Sequence, residues 1–238
     1  MRSSRDRASG DLLALAAILG LASLGCALLY GFRVVASGRI SYLYLLWNLF
    51  LACVPFLIAA VASLLFRRAA PGRRRSVAVA PVVLLWLLFY PNSPYIFTDF
   101  IHLVNKVYLR AKPAEWIDLN ALVWYDIVMN AAFAFIGHFI GLVSMWLMQA
   151  LMRAAWGRMA ARAGVLAAIF LSGFGIYLGR FSRLNSWDLL FSPIRVLGEA
   201  TEALSDPKAI LFSLVFGLFI LLSYGALSAF KRISSPLE

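Results

Sequence analysis

Long apolar stretches alternate with short polar segments along the whole chain. Six of them, at residues 11–32, 42–66, 77–98, 121–151, 164–180 and 208–230, are long enough to cross a membrane. A helix needs about 20 apolar residues to span the bilayer core. The pattern therefore predicts an all-α fold, a polytopic membrane helix bundle with about six transmembrane helices. No segment is left for a soluble domain, so we treat residues 1–238 as a single integral membrane domain.

The first stretch also has one feature of a secretory signal peptide, because the basic segment MRSSRDR precedes it. However, its apolar part runs over residues 12–32, which is longer than the usual hydrophobic region, and no A-x-A cleavage site follows. We therefore expect an uncleaved transmembrane helix.

Composition supports a membrane protein. The chain is 63% hydrophobic, whereas soluble domains average about 45–50%. The net charge is +11, and the basic residues form short runs between the apolar stretches. This arrangement is typical of membrane orientation and of contact with anionic headgroups. The predicted partner is therefore the lipid bilayer, with an anionic lipid or amphiphile as the candidate ligand, and not nucleic acid. The oligomeric state stays open.

The basic residues also predict the orientation, because cytoplasmic loops carry the excess of Lys and Arg. Both termini should therefore be cytoplasmic, and the loops 99–120 and 181–207 should lie outside. Within the second loop, Ser192 and Pro193 can start a helix. We predict a short interfacial helix near 193–205 on the outer surface. The side predicted to be cytoplasmic has the higher density of basic residues, and these are Arg2, Arg5, Arg7, Arg67, Arg68, Arg73, Arg74, Arg75, Arg153, Arg158, Arg162, Lys231 and Arg232.

Polar side chains gather at the opposite, outer end of four of these segments. Polar groups in spanning segments are costly and often mark function or contacts between helices. One interpretation is a ligand site at the outer face, and the other is structural packing combined with interfacial anchoring. The candidate site consists of Asn48, Tyr90, Asn92, Tyr95, Asp99, His102, Tyr125, Asp126, Asn130, Arg180, Arg183, Asn185 and Asp188.

The third apolar stretch ends in YPNSPYIFTDF, where Pro91 and Pro94 interrupt helical hydrogen bonding. A helix stopped at Tyr90 would be too short to cross the bilayer. The chain must therefore kink and continue, or unwind inside the protein, with Asn92 and Ser93 placed to bind the freed carbonyl groups. Such broken helices often frame binding sites, and a simple kink is the alternative.

Arg180 and Arg183 are three residues apart and share a helix face if the fifth helix extends that far. Two guanidinium groups can bind a phosphate or carboxylate, or can pair with Asp99, Asp126 or Asp188. We expect one arginine to pair internally and the other to be available for an anion.

Titratable groups do not indicate a metal site. Asp99 and His102 are spaced for a metal or general-base pair, but the chain has only two histidines and no HxxxH or HExxH motif. We predict no metal and no cofactor. His138 falls near mid-membrane, where it either hydrogen-bonds a neighbouring helix or relays protons. Cys26 and Cys53 lie in apolar stretches and suggest buried thiols.

Two GxxxG motifs, Gly137 with Gly141 and Gly175 with Gly179, favour close helix packing. They predict that the fourth and fifth helices contact each other, which would bring Asp126 next to Arg180.

Three ordered motifs carry a resemblance to a known family. The stretches LFYPNSPYIFTDFIHL, WYD and GIYLGRFSRLNSWD resemble the hallmark stretches of an uncharacterised multi-pass bacterial membrane family, domain of unknown function 1361. The similarity covers most of residues 47–193. It implies a bacterial integral membrane protein, so that the expected location is the bacterial cytoplasmic (inner) membrane, and it brings no established activity, substrate or catalytic residues.

Three hypotheses for the function follow. The first is a site at the outer face that binds or processes an anionic amphiphile or lipid headgroup. The second is a non-catalytic membrane subunit whose polar residues are structural. The third is a proton-coupled transporter, which also requires a polar path on the inner side, and the sequence offers almost none. Whether the protein is an enzyme stays open.

Overall fold

The computed structural model describes residues 4–104 and 119–234, and these residues form helices and no strands. The predicted loop 99–120 therefore lies largely outside the described residues. The helices are α1 (Ser4–Ser37), α2 (Leu43–Arg68), α3 (Arg73–Val77), α4 (Val79–Phe89), α5 (Asn92–Tyr95), a 3-10 helix (Ile96–Phe100), α6 (Ile101–Val104), α7 (Leu119–Trp156), α8 (Arg158–Phe181), α9 (Asp188–Phe191), α10 (Pro193–Ser205) and α11 (Pro207–Ser234).

Within this part of the chain, six helical segments are long and apolar enough to cross a membrane, which confirms the predicted fold class. The fifth predicted helix begins earlier than expected, at Arg158, because Arg158 and Arg162 lie in its first two turns and these turns are not part of the apolar stretch that predicted it. A short helix is present where the interfacial helix was predicted, as α10. The six segments are Gly10–Ser37, Leu43–Arg68, Arg73–Leu103, Asn120–Trp156, Arg158–Phe181 and Pro207–Phe230.

Helix α7 lies at the centre of the bundle. In its apolar stretch 61% of the residues are buried, against 11% in α1 and 17% in α11. Helices α1, α2 and α8 and the third segment pack against α7, whereas α11 packs mainly on α8. The broken part of the third segment therefore lies among α2, α7 and α8.

The third segment is interrupted where the two prolines predict. Helix α4 ends at Phe89, and one turn of α-helix and one of 3-10 helix follow. The Asn92 amide nitrogen donates a hydrogen bond to the Phe89 carbonyl at 2.9 Å, as expected of a residue that satisfies a freed backbone group. The Ser93 hydroxyl donates instead to the Ala52 carbonyl of α2, also at 2.9 Å. The chain thus kinks and continues, and both polar residues fix the kink. We call residues 90–100 the break.

The two GxxxG motifs pack against the break. A Cβ atom added at Gly141 would lie 2.5 Å from Ser93 Cβ, and one added at Gly175 would lie 2.9 Å from Pro91 Cγ. Helices α7 and α8 do pack against each other, as predicted. Their motif glycines, however, allow the break to approach both helices, because a kinked segment needs space that only residues without side chains leave. The same holds for Gly137 beside Ile96 and Gly179 beside Tyr95.

Candidate functional site

The predicted polar residues occur at one end of the bundle, where α1 and α8 finish and α2 and α7 begin. We call this the polar end, and we call the opposite end, which carries Arg68, Arg73 and Arg158, the arginine-rich end. At the polar end the candidate residues separate into two clusters. The first surrounds a cavity, and the second is a buried ion pair between α1 and α7.

The cavity has a volume of about 480 Å³ and is lined by α2, the end of α4, the break, α8, the loop after α8, α9 and α10. A chain that brings distant segments together around such a volume can hold a small molecule or a lipid headgroup. Apolar side chains, including Trp47, Leu88 and Trp187, complete the lining. The polar lining residues are Asn48, Asn92, Tyr95, Arg183, Asn185 and Ser186, and all but Ser186 were predicted from the sequence.

A chain of polar contacts connects the cavity wall with Arg180. The Asn48 amide donates to Asp99 Oδ2 at 2.7 Å, and Arg180 Nη1 lies 3.8 Å from Asp99 Oδ1. Asp99 is buried and Arg180 is partly buried. Asp99 therefore neutralises Arg180, and this agrees with the expectation that one of the two arginines pairs internally.

Arg183 is the other arginine. It lines the cavity and makes no ion pair or side-chain hydrogen bond with any residue in 4–104 or 119–234. Its backbone has a φ of 55°, a left-handed conformation that non-glycine residues adopt uncommonly. Strained residues of this kind often occur at binding sites. Arg183 thus brings to the cavity lining a positive charge that no carboxylate of the described residues pairs with.

The loop after α8 is held against the break. The Asn92 amide donates a second hydrogen bond to the Ser186 hydroxyl at 2.9 Å. Within the loop, the backbone N–H of Asn185 donates to Asp188 Oδ2 at 2.7 Å. Asp188 thus stabilises the turn that carries Asn185 and Arg183, and it does not line the cavity.

The second cluster contains Asp126, and its partner differs from the prediction. Both oxygens of Asp126 accept hydrogen bonds from Arg33 of α1, at 2.9 and 3.1 Å, and Arg33 Nη1 lies 2.6 Å from the Ser37 hydroxyl. Both ionic side chains are almost completely buried. The expected proximity of Asp126 and Arg180 is therefore wrong, because α1 packs on this face of α7 and supplies the counter-charge.

Two further candidates belong to this second cluster. The Tyr125 hydroxyl donates to the Leu29 carbonyl of α1 at 2.8 Å. The Asn130 amide donates to the backbone carbonyl of Asp126, also at 2.8 Å. These side chains bind helix backbone and do not line the cavity. Arg33 is the residue that sequence reasoning missed. The available signal was an arginine directly after the first apolar stretch, at the end of that stretch predicted to lie on the same side as Asp126.

The remaining candidates pack against aromatic rings. The ring centroids of Tyr90 and Trp86 are 4.8 Å apart, and those of His102 and Tyr44 are 4.6 Å apart. Tyr90 and His102 therefore do not reach the cavity lining.

His138 lies between Phe97 and Phe219, with ring centroids 5.5 and 4.7 Å away. Neither ring nitrogen has a hydrogen-bond partner among the residues that the structure describes. Of the two alternatives for His138, the hydrogen bond to a neighbouring helix is therefore not formed with the described residues, and the imidazole packs against two phenylalanine rings.

Comparison with known proteins gives one match. A family model described as "Protein of unknown function (DUF1361)" matches residues 47–223. The matched region includes the break, α7, α8 and every residue that lines the cavity. Arg33 lies before its first residue. No curated protein and no solved structure matches the chain.

Proposed function

The chain belongs to the family of proteins of unknown function DUF1361, and we propose that its cavity binds the anionic headgroup of an amphiphile. The observation that carries this proposal is Arg183, which lines the cavity without a counter-charge from the described residues. An arginine of this kind can bind a phosphate or carboxylate with two parallel hydrogen bonds. Arg180 does not offer the same charge, because Asp99 is beside it.

The surroundings of the cavity fit an amphiphile better than a free anion. Phe191 and Ile194 are 79% and 85% exposed, and they belong to α9 and α10, whose residues Leu189 and Val196 line the cavity. Exposed apolar residues on short surface helices are typical of helices at the headgroup boundary of a bilayer. A lipid whose headgroup occupies the cavity could therefore keep its acyl chains in the membrane.

The structural hypothesis fits the second cluster. The carboxylate of Asp126 is fully used by Arg33, and the two residues connect α1 with α7. The transporter hypothesis gains no support from His138, since its described neighbours offer no hydrogen-bonded route for a proton. We therefore assign binding to the cavity cluster and a packing role to the Arg33–Asp126 cluster.

Substitution of Arg183 tests the proposal. We expect Arg183→Gln to weaken binding of short-chain phosphatidylmethanol about 10- to 100-fold, because a hydrogen bond to a charged group contributes roughly 1.5–3 kcal/mol. The measurement is isothermal titration calorimetry on purified protein in a neutral detergent, with short-chain phosphatidylcholine as the lipid without net charge.

Arg195→Gln is the matched control. Arg195 is exposed on α10, it does not line the cavity, and its guanidinium contacts only the Ser182 carbonyl among the described residues, at 3.4 Å. Its substitution should leave the affinity unchanged. Equal affinities of the wild-type protein for phosphatidylmethanol and phosphatidylcholine would contradict the proposal, as would equal losses in the two arginine variants.

The membrane orientation is part of the same proposal. The arginines of the opposite end support cytoplasmic termini in a bacterial inner membrane, so that the cavity opens toward the outer leaflet. In a variant without Cys26 and Cys53, a membrane-impermeant maleimide added to intact spheroplasts should label Ser192→Cys and not Arg158→Cys. If Ser192→Cys is labelled only after the spheroplasts are lysed, the protein has the opposite orientation.

A further inference from the structure

The neighbouring carboxylate of Asp99 determines which atom of the Asn48 amide group faces it. Its amide group lies 2.7 Å from Asp99 Oδ2. An ionised carboxylate only accepts hydrogen bonds, so the nitrogen of the amide must face it. The Asn48 oxygen is then the atom left to bind something else, and it accepts no hydrogen bond from the residues described.

Asn92 is oriented in the same way. Its amide nitrogen donates to the Phe89 carbonyl, which is an obligate acceptor, and also to the Ser186 hydroxyl. Both of its N–H groups are therefore used, and its oxygen has no partner in the described ranges. The Ser186 hydroxyl accepts this bond and keeps its own proton to donate.

Asn185 repeats the pattern at the exposed side of the cavity. Its amide nitrogen lies 3.5 Å from Asp188 Oδ2, a longer contact with the same polarity. Three asparagines on three different segments thus direct their nitrogens toward protein acceptors. Beside the Arg183 guanidinium and the hydroxyls of Tyr95 and Ser186, the polar lining residues thus contribute three amide oxygens, which only accept hydrogen bonds.

From this donor and acceptor pattern we infer that the ligand carries hydroxyl groups beside its anionic group, as in a glycerol-phosphate or sugar-phosphate headgroup. This inference rests on the proposed function and names its substrate class. A phosphate without hydroxyls satisfies Arg183 and leaves the amide oxygens unpaired, and sites built to bind a hydroxyl discriminate against ligands that lack it. A headgroup with hydroxyls can bind Arg183 through its phosphate and donate hydrogen bonds to the amide oxygens.

The test compares two lipids of equal charge. Short-chain phosphatidylglycerol and short-chain phosphatidylmethanol are both singly charged phosphodiesters, and only the first has free hydroxyls. We expect the wild-type protein in neutral detergent to bind phosphatidylglycerol roughly tenfold more tightly, since two neutral hydrogen bonds contribute about this much. In Asn48→Ala the ratio of the two affinities should fall about threefold or more, and this ratio is insensitive to a general loss of stability.

The outcomes separate the two claims. Equal binding of both anionic lipids, each tighter than phosphatidylcholine, would overturn the hydroxyl inference and leave the anion site intact. If neither anionic lipid binds more tightly than phosphatidylcholine, the proposed function itself is overturned. Gln149→Ala, a substitution of a residue hydrogen-bonded to Tyr224 away from the cavity, should leave the ratio unchanged. A change of the same size in that variant would count against the inference.

Discussion

Replacing Asp126 by asparagine is expected to lower the free energy of unfolding in detergent by about 3–5 kcal/mol, the usual consequence of removing one member of a buried ion pair. Arg33 is 1% exposed and Asp126 is fully buried, so water cannot solvate the guanidinium that remains. Asparagine can accept only one of the two hydrogen bonds that Asp126 accepts from Arg33. The measurement is thermal unfolding of the purified variant, followed by intrinsic fluorescence.

Two comparisons make this result specific. Asp188→Asn removes the same charge from a carboxylate at the start of α9 and should cost no more than about 1 kcal/mol, the usual contribution of one hydrogen bond. The double variant Arg33→Met, Asp126→Leu should recover most of the stability, because a buried pair can often be replaced by apolar side chains of similar volume. A double variant no more stable than Asp126→Asn alone would contradict a mainly electrostatic origin of the loss.

The same variants separate structure from function. If the second cluster only connects α1 with α7, folded Asp126→Asn protein should bind anionic lipid with the affinity of the wild type. Arg183→Gln should show the opposite pattern, with nearly unchanged stability and weak binding. Two clusters at one end of the bundle can therefore be distinguished by two measurements on the same preparations.

Hydropathy predicted the long apolar helices well. The six candidate spanning segments, the short helix α10 and the pairing of one of the two neighbouring arginines were all available from the sequence. The position of a residue along its helix does not determine which neighbouring helix its side chain faces. Asp126 and Arg180 lie at the same end, but Asp126 faces α1 and Arg180 faces the break. That choice depends on how the helices pack around α7, which one sequence does not specify.

For the break, too, the sequence predicts the position of the element but not its contacts. Pro91 and Pro94 predict where helix α4 stops, because proline disturbs helical hydrogen bonding regardless of the surroundings. The contacts of Gly141 and Gly175 could not be predicted in this way. GxxxG indicates that something packs closely, and only the three-dimensional structure shows that the kinked segment occupies that space.

Gly141→Ala should therefore disturb the break. Its Cβ atom would lie 2.5 Å from Ser93 Cβ, a distance at which one of the two segments has to move. Overpacking of this kind costs about 1–3 kcal/mol. Ser93 is adjacent to Asn92, which lines the cavity, so we expect lower thermal stability together with weaker lipid binding. Gly31→Ala is the control, since nothing lies within 4 Å of the added atom, and helix propensity favours alanine there by about 1 kcal/mol.

A double-mutant cycle shows whether the contact with Ser93 is the cause. Ser93→Gly alone should destabilise the protein, because it removes the hydrogen bond to the Ala52 carbonyl and adds a glycine to a helical turn. In the Gly141→Ala background the same change also removes the atom that the new methyl group meets. The combined loss should then be smaller than the sum of the single losses, with a coupling of about 1 kcal/mol or more, as residues in contact show. Additive losses, with lipid binding not restored, would mean that Gly141 acts on the cavity by a route other than the break.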